Sequence, residues 1–387
     1  MTVVDQAKKL QPELVELRRH IHAHPELSFK EHETGKLVAE KLKALGFDVK
    51  TGVGKTGVVA DKGSGKRTIA IRADMDGLPV LEANKVSYKS QNEGVMHACG
   101  HDAHIACALT AAKILSGESL PGKLRMIMQP SEEDVDEEEK SGARRMIEDG
   151  AMEGVDAVIG LHVDSSLPAG KVAIMPGPVM AAADIFKLVI TGKGGHGAYP
   201  ETTVDSVVIA AQVITALQQV VSRRIAPVEP AVVTVGSIHS SSTRGNVISD
   251  SVELMGTIRT FSVETRKKVM AEVERACGVA RALGGDFKLT YELGYPPTVN
   301  NPEVTEVMHQ AAVDLIGAEN VIKVSPKTWG EDFSMLAEVS PGAFMFLGVE
   351  IAGDTRSHHS PTFDIDESSL YLGPAILAET ARRLMKG

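Results

Sequence analysis

Apolar residues in the first half of the chain follow helical and strand periodicities in turn. Spacings of three and four predict helices over 12–20 and 31–45, the second ending at Gly46. Continuous or alternating apolar runs predict strands at 47–60, 68–72, 122–129 and 156–161. Between these strands, helices are expected after His104 and over 142–149. Strands that alternate with helices are typical of an open α/β sheet covered by helices.

The pattern changes after Gly177. A strand at 183–191 is followed by a glycine-rich loop at 192–200 and a long helix at 204–222. Two strands at 231–239 and 251–260, a helix at 263–283 and a last strand at 286–293 complete the segment. This β-α-β-β-α-β order is that of a ferredoxin-like α+β sandwich. We therefore expect an α/β fold with a mixed sheet in residues 1–182 and 294–387, into which a smaller α+β domain at 183–293 is inserted.

Composition narrows the classes of function. A chain of 387 residues exceeds the size of one usual core, and its net charge of −10 argues against a nucleic-acid surface. No continuous apolar run approaches the ~18 residues of a membrane span, and no export signal opens the sequence. The three cysteines form no disulfide pattern, which favours a cytoplasmic protein. We expect a small-molecule substrate and neither a nucleic-acid nor a membrane partner.

Potential metal ligands concentrate in the segment 97–104, which contains Cys99, His101, Asp102 and His104. Mixed sulfur, nitrogen and oxygen donors suit zinc, manganese, cobalt or nickel better than magnesium or calcium. A helical run follows at once, and its positive end favours a thiolate at Cys99.

Further donors follow the carboxyl ends of the predicted strands, where open α/β sheets bind their ligands. These donors are Asp74, Asp76, Glu132, Glu133 and His162, and two later histidines, His358 and His359, add to them. Two divalent metal ions are the most economical explanation, with Cys99 as a bridging thiolate and Glu132 as a general base. His101, Glu133, His162 and one of the two later histidines would complete the ligand set.

Five spaced segments carry a resemblance to a known family: RADMDGLP at 72–79, HACGHDAH at 97–104, QPSEE at 129–133, GKGGHGAYP at 192–200 and HSP at 359–361. Together they resemble the M20 metallopeptidase family, in its amidohydrolase branch of hippurate hydrolases, aminoacylases, thermostable carboxypeptidases and auxin-conjugate hydrolases. The resemblance spans nearly the whole chain. It implies a dinuclear metal site, a catalytic domain interrupted by a lid domain, and hydrolysis of N-acyl amino acids or related amides.

The resemblance also implies roles for single residues of the metal site. Cys99 takes the bridging position, His101 and His162 the ligand positions of one ion, and Glu133 and His359 those of the other. Glu132 takes the position of the general base. Asp76 takes that of a carboxylate that orients a ligand, as carboxylates behind metal-bound histidines commonly do.

In the inserted domain, the resemblance assigns three residues to the substrate. His196 matches a lid histidine that reaches the substrate carbonyl or oxyanion across a dimer. Asn246 and Arg259 match further lid positions, and an arginine fork suits the free carboxylate of an amino acid. An exposed strand residue is an equally good interpretation of Arg259. Because the matched lid histidine acts across a dimer, the resemblance also implies a homodimer or homotetramer.

The expected activity is hydrolysis of the amide bond of N-acyl amino acids by metal-activated water. A carboxypeptidase or dipeptidase acting on short peptides is the main alternative, and a non-catalytic binding protein on the same scaffold is a third. The acidic insertion at 134–140 is interpreted as a solvated loop. His20, His22 and His24 are interpreted as helix C-terminal residues beside the negative end of the helix dipole.

Overall fold

The computed structural model describes residues 2–386. Its helices are α1 (Val3–Ala23), α2 (His32–Ala44), α3 (His101–Ser116), α4 (Gly142–Glu148), α5 (Ser206–Gln219), α6 (Val263–Cys277), α7 (Val279–Ala282), α8 (Pro302–Ile316), α9 (Phe333–Val339) and α10 (Leu372–Lys386). Turns of 3-10 helix lie at Pro200–Thr202 and Ala318–Asn320, and a π-helical turn follows α5 at Val220–Arg224.

The strands vary from two to twelve residues. They are β1 (Asp48–Val53), β2 (Gly57–Lys62), β3 (Thr68–Asp74), β4 (Lys123–Gln129), β5 (Ala157–Pro168), β6 (Val172–Ala173), β7 (Gly177–Met180), β8 (Ala182–Thr191), β9 (Gly195–His196), β10 (Ala231–Ser240), β11 (Val247–Ile248), β12 (Ser251–Thr260), β13 (Asp286–Glu292), β14 (Thr298–Asn300), β15 (Val321–Ile322) and β16 (Gly342–Glu350).

The larger of two compact units comprises residues 2–177, 299–325 and 332–386 and contains an eight-stranded mixed sheet. The strand order is β1-β2-β4-β3-β5-β16-β6-β15, and the neighbours β4, β3, β5 and β16 run parallel. Every residue of β3 is buried, as is usual for a parallel strand covered on both faces. This mixed sheet with its helices confirms the predicted α/β fold class.

The smaller unit comprises residues 178–298 and 326–331. Its four-stranded antiparallel sheet has the order β10-β12-β8-β13, and α5 and α6 pack on it. Buried and partly exposed residues alternate along β8 and β12, so one face of the sheet forms a core with the two helices. The order of strands and helices is that of a split β-α-β sandwich.

The helical segment Ser206–Arg224 has the length and composition of a membrane span, and it is the one such helix among residues 2–386. The search for a continuous apolar run did not find this helix, because polar residues such as Thr215 and Gln218 interrupt its apolar positions. One helix of this kind is weak evidence for a membrane span. Ile209, Val213 and Leu217 are buried in the core of the smaller unit, as expected for a helix that packs on a sheet.

Helix α1 begins at Val3 and includes the periodic segment 12–20. It begins there because Thr2 and Asp5 form a capping box in which each side chain accepts the other's backbone N–H. One local prediction differs from the structure. The apolar segment 47–60 is a hairpin of two strands rather than one strand. Gly54 and Lys55 both have positive φ angles there, of 64° and 78°, and turn the chain between β1 and β2.

Candidate metal centre

The chain delivers its potential ligands to one edge of the larger sheet. Asp74 ends β3, Glu132 and Glu133 follow β4, and His162 lies on β5, so these parallel strands present their side chains side by side. The loop after β16 is joined to the same edge, since the His359 N–H donates to the backbone carbonyl of Ala98 at 2.8 Å.

A glycine allows the segment before α3 to approach β5 closely. Gly100 has a φ of 95°, and a Cβ at this position would overlap the side chain of Val163. Only glycine fits both the backbone conformation and the available space. Cys99 and His101 on either side of it are thereby held against the strand that carries His162.

The five residues expected as metal ligands lie together. The ligand atoms of Cys99, His101 and His162 are all within 4.8 Å of one another, and so are those of Cys99, Glu133 and His359. Cys99 therefore belongs to both groups. Two adjacent groups that share one sulfur have the arrangement that a pair of bridged metal ions requires.

Both histidines of the first group are oriented by the backbone. The Nδ1 atom of His101 lies 2.9 Å from the Asp76 carbonyl oxygen, and that of His162 lies 2.6 Å from the Val163 carbonyl oxygen. Each Nδ1–H therefore donates to a carbonyl, so Nε2 is the ring nitrogen that could bind a metal ion. The Nε2 of His101 is buried and has no hydrogen-bond partner within residues 2–386. A metal ion would supply the partner that this atom lacks.

Asp76 connects the ligands to the proposed base. Its carboxylate accepts the backbone N–H groups of Glu132 and Glu133 at 3.1 and 3.0 Å and the hydroxyl of Ser28 at 2.7 Å. One of its oxygens lies 3.3 Å from Nδ1 of His101. Burial opposes ionisation of Asp76, but the hydrogen bonds from His101, Ser28 and Glu133 outweigh it and lower the pKa.

The surroundings of Cys99 differ from the expected thiolate-stabilising helix end. Burial, together with the carboxylates of Glu133, Glu132 and Asp74, raises the pKa of the thiol well above its usual value. Burial alone would lower the pKa of His101, but Asp74 and Asp76 raise it to about 10. Protons on these two residues must leave before cations bind, so metal affinity is coupled to pH.

A second hydrogen-bonded chain supports the strand that bears His162. Nδ1 of His104 lies 2.7 Å from Asp74, and its Nε2 accepts the Val163 N–H at 2.9 Å. Arg72 donates to the same aspartate at 2.7 Å. All these side chains are buried, so His104 and Asp74 form a fixed polar group behind the candidate ligands.

His22 lies in the last turn of α1, as expected, and also takes part in a buried polar cluster. Its ring is fully buried, with Nδ1 2.8 Å from Asp102 and Nε2 3.4 Å from Glu82. Arg18, one helical turn earlier, also pairs with Asp102. The signal in the sequence was the i, i+4 spacing of Arg18 and His22, which places both on one face of α1.

The acidic segment 134–140 is only partly a solvated loop. Glu137 is exposed, but the side chain of Asp136 is 1% exposed and lies 2.6 Å from both Lys55 and Arg145. Backbone N–H groups of Glu138 and Lys140 donate to it as well. The segment is therefore anchored at its centre, since a buried carboxylate requires paired cations and donors.

The three residues assigned to the substrate by resemblance lie in the smaller unit. His196 on β9 pairs with Val247 on β11, and the Gly197 N–H donates to the Asn246 carbonyl at 2.9 Å, so the first two are neighbours. Both side chains are exposed. Arg259 lies on β12 and donates to the Ile258 carbonyl at 3.0 Å. It is half-buried rather than freely exposed, and burial lowers the pKa of its guanidinium.

Comparison with known proteins agrees with this geometry. The sequence profile of peptidase family M20/M25/M40 matches residues 70–383. Thermostable carboxypeptidase 2 of Saccharolobus solfataricus is 42% identical over 378 residues, which are 95% of this chain and 94% of that protein. N-acetyl-L-cysteine deacetylase of Bacillus subtilis is 41% identical over 384 residues, covering 97% of this chain and 89% of the deacetylase.

A solved structure from Bacillus subtilis, of a dinuclear metal-binding peptidase from the M20 family, superposes with a TM-score of 0.85. It is 33% identical and covers 98% of this chain and 99% of its own. The family profile and these relatives each extend over most of the sequence, and the residues 99–359 that form the cluster lie inside the matched region. The chain therefore belongs to peptidase family M20/M25/M40 and is a hydrolase of that family with a candidate metal centre.

Proposed function

We propose that the protein hydrolyses the amide bond of N-acyl amino acids, with Glu132 as the general base at a dinuclear metal centre. The observation that carries the proposal is the pair of three-residue ligand groups that share Cys99, with Glu132 beside them. Oε2 of Glu132 lies 4.0 Å from Nε2 of His101. A carboxylate at this position is within reach of water at the centre.

The donors fit two divalent cations. Cys99 would bridge them, His101 and His162 would hold one, and Glu133 and His359 the other. Thiolate, imidazole and carboxylate together suit zinc, manganese, cobalt or nickel. Such ions, when bound, would lower the pKa of bound water and polarise the scissile carbonyl.

Side chains of the protein transfer the proton and hold the base and the candidate ligand in place. Glu132 accepts a proton from the attacking water and passes it to the departing amine nitrogen, so the base becomes the acid within one cycle. Asp76 keeps Glu132 in place through the backbone N–H of that residue. Nδ1 of His101 remains a donor to the Asp76 carbonyl, which fixes the ring while its Nε2 faces the centre.

The smaller unit would act as a lid that recognises substrate. We assign to His196 a hydrogen bond to the developing oxyanion, and to Asn246 and Arg259 the polar groups of the amino-acid portion. The Arg259 guanidinium forms no ion pair within the described residues 2–386. It is thus available to a carboxylate from the substrate.

We further propose a homodimer or homotetramer in the cytoplasm, with His196 acting across subunits. All three cysteines are free and buried, which suits a reducing compartment. The second candidate activity is that of a carboxypeptidase or dipeptidase, favoured by the 42% identity to a protein named thermostable carboxypeptidase 2. Both activities cleave an amide beside a free carboxylate, and they differ in the acyl side.

The test replaces the base and keeps the metals. Glu132→Ala is expected to abolish turnover while the purified protein retains its metal content, measured by plasma mass spectrometry. Glu138→Ala, an exposed carboxylate of the neighbouring loop, is the matched control and should hydrolyse normally. Near-normal hydrolysis of N-acyl amino acids by the Glu132 variant would overturn the proposal.

A substrate panel separates the alternatives. N-acetyl and N-benzoyl amino acids are compared with dipeptides, each with zinc, manganese, cobalt and nickel. Preference for dipeptides would favour the carboxypeptidase or dipeptidase. A protein that binds fewer than one ion per chain after reconstitution, and hydrolyses none of the panel, would be a non-catalytic binding protein.

A further inference from the structure

Glu31 is a buried carboxyl group to which the mechanism above gives no role. Its side chain is 0% exposed, although the residue stands at the N-terminal boundary of α2. The side chain makes no capping hydrogen bond to that helix. Since carboxyl groups are seldom buried without a specific set of partners, the contacts of Glu31 indicate what it does.

Those contacts join three separate segments of the chain. Oε1 of Glu31 accepts the backbone N–H of Ser131 at 2.8 Å and that of Phe29 at 3.1 Å. The hydroxyl of Thr56, in the turn between β1 and β2, donates to Oε2. Glu31 therefore connects the β1–β2 turn to the residue immediately before Glu132.

Two carboxylates hold three consecutive backbone amides at this point. Glu31 accepts from Ser131, and Asp76 accepts from Glu132 and Glu133. The turn needs this support because Ser131 has a φ of +44°, a conformation that costs energy for a residue with a side chain. Without Glu31, the Ser131 amide would be a buried donor with no acceptor.

Glycines let the neighbouring segments approach this turn. A Cβ on Gly57 would lie 2.7 Å from Cδ of Pro130, and one on Gly35 would lie 2.9 Å from the Thr56 carbonyl. Each position is therefore too close for any side chain. The β1–β2 turn, α2 and the Pro130–Ser131 peptide are packed as one block around Glu31.

We propose that Glu31 is a positioning residue for the general base: it fixes the Pro130–Ser131 peptide and thereby the direction from which Glu132 reaches the metal centre. This inference rests on the proposed role of Glu132. Asp76 holds the turn at the amides of Glu132 and Glu133, and Glu31 adds an attachment at the Ser131 amide that sets its orientation.

The attachment to Ser131 does not depend on a full charge. Burial and the nearby Asp76 carboxylate raise the pKa of Glu31 to about 7. A proton on Oε2 leaves Oε1 free to accept from Ser131 and Phe29 as before. A glutamine at this position offers the same carbonyl acceptor, so Glu31→Gln should preserve the attachment and Glu31→Ala should remove it.

Steady-state kinetics of the metal-loaded variants test the proposal. Glu31→Ala is expected to lower kcat by about 10- to 100-fold with KM changed less than about threefold, as misplacement of a catalytic group does. Glu31→Gln should stay within about threefold of the wild type in kcat. Asp156→Ala, which removes another carboxylate that accepts a single backbone N–H, at 2.7 Å from Thr68, is the matched control.

Hydrogen exchange provides a readout that needs no substrate. Exchange of the amides of residues 131–133 should be at least about tenfold faster in metal-loaded Glu31→Ala than in the wild type or in Asp156→Ala. If Glu31→Ala does not fold, Glu31→Asp takes its place, since its shorter side chain cannot reach both Ser131 and Thr56.

The two readouts separate this inference from the proposed function. Unchanged kcat in Glu31→Ala, loss of activity in Glu31→Gln equal to that in Glu31→Ala, or unchanged exchange at 131–133 would each overturn the role of Glu31. An active Glu132→Ala would instead overturn the proposed base, whatever the exchange experiment shows.

Discussion

Arg18 and Asp102 form a fully buried ion pair, with Nε of the arginine 2.7 Å from the carboxylate. Asp102 directly follows His101 in the first turn of α3. Burial opposes ionisation of Asp102, but Arg18 and His22 hold its pKa well below the usual value. The pair therefore joins α1 to the start of the helix that carries a candidate ligand.

Replacing Arg18 is expected to destabilise the protein strongly. Arg18→Met removes the buried arginine cation beside Asp102, which should lower the free energy of unfolding by about 3–5 kcal/mol. Chemical denaturation monitored by circular dichroism measures the loss. Arg19→Met is the control, because Arg19 is 45% exposed and its pair with Glu367 should contribute no more than about 1 kcal/mol. Equal losses in both variants would contradict the special role of the buried pair.

Cys99 should control the binding of both metal ions. Cys99→Ser removes the proposed bridging sulfur, so we expect weaker affinity for both ions and a content below two per chain after gel filtration. Cys107→Ser is the control, since Cys107 is buried within α3 and its thiol donates to the Leu370 carbonyl. A Cys99 variant that retains two tightly bound ions would refute the bridge.

Complementation tests whether His196 acts across a dimer. Glu132→Ala and His196→Ala are each expected to be inactive or nearly so, with metals retained. In random mixed dimers, half of the assemblies have one intact composite site, so about a quarter of wild-type activity should return. His239→Ala, an exposed histidine of the same unit, should be active alone. No recovery in verified mixed dimers would exclude action in trans.

Glu31 should make stability depend on pH near neutrality. Its folded pKa of about 7 lies above the ordinary 4.5, so the folded state binds this proton more tightly. The stabilising contribution is complete below pH 4.5 and is lost as the pH rises through 7. Between these limits the stability of the wild type relative to Glu31→Gln should fall by about 3 kcal/mol.

Calorimetry of both proteins at several pH values measures this difference. Glu33→Gln is the control, since the Glu33 side chain is 80% exposed on the same helix, and it should follow the wild type. A difference between the wild type and Glu31→Gln that does not change with pH would show that Glu31 is not protonated on folding.

The fold class and the ligand cluster could be predicted because both follow from local pattern. Asp74, Glu133 and His162 each stand at or beyond an apolar strand, and parallel strands bring such positions to one edge. The five motifs suggested roles for these residues, which periodicity could not do. The β1–β2 hairpin was missed because two positive φ angles determine its turn.

Supporting side chains were harder to predict because their partners are distant in sequence. His22 bonds Asp102 across 80 positions, and Glu31 bonds the Ser131 amide across 100. Neither contact leaves a periodic signal. A buried histidine in the last turn of a helix has the same sequence pattern as an exposed one, so the burial of His22 was not predicted.

The hydrogen bond from His359 to Ala98 has a consequence for handling the protein. It closes the centre with a segment that comes after the whole smaller unit in the sequence, so the two ligand groups cannot coexist until contacts of very high sequence separation have formed. Full metal binding is therefore expected only in completely folded chains: a chain in which residues 98 and 359 have not met lacks one of the two ligand groups, even where its helix content is normal.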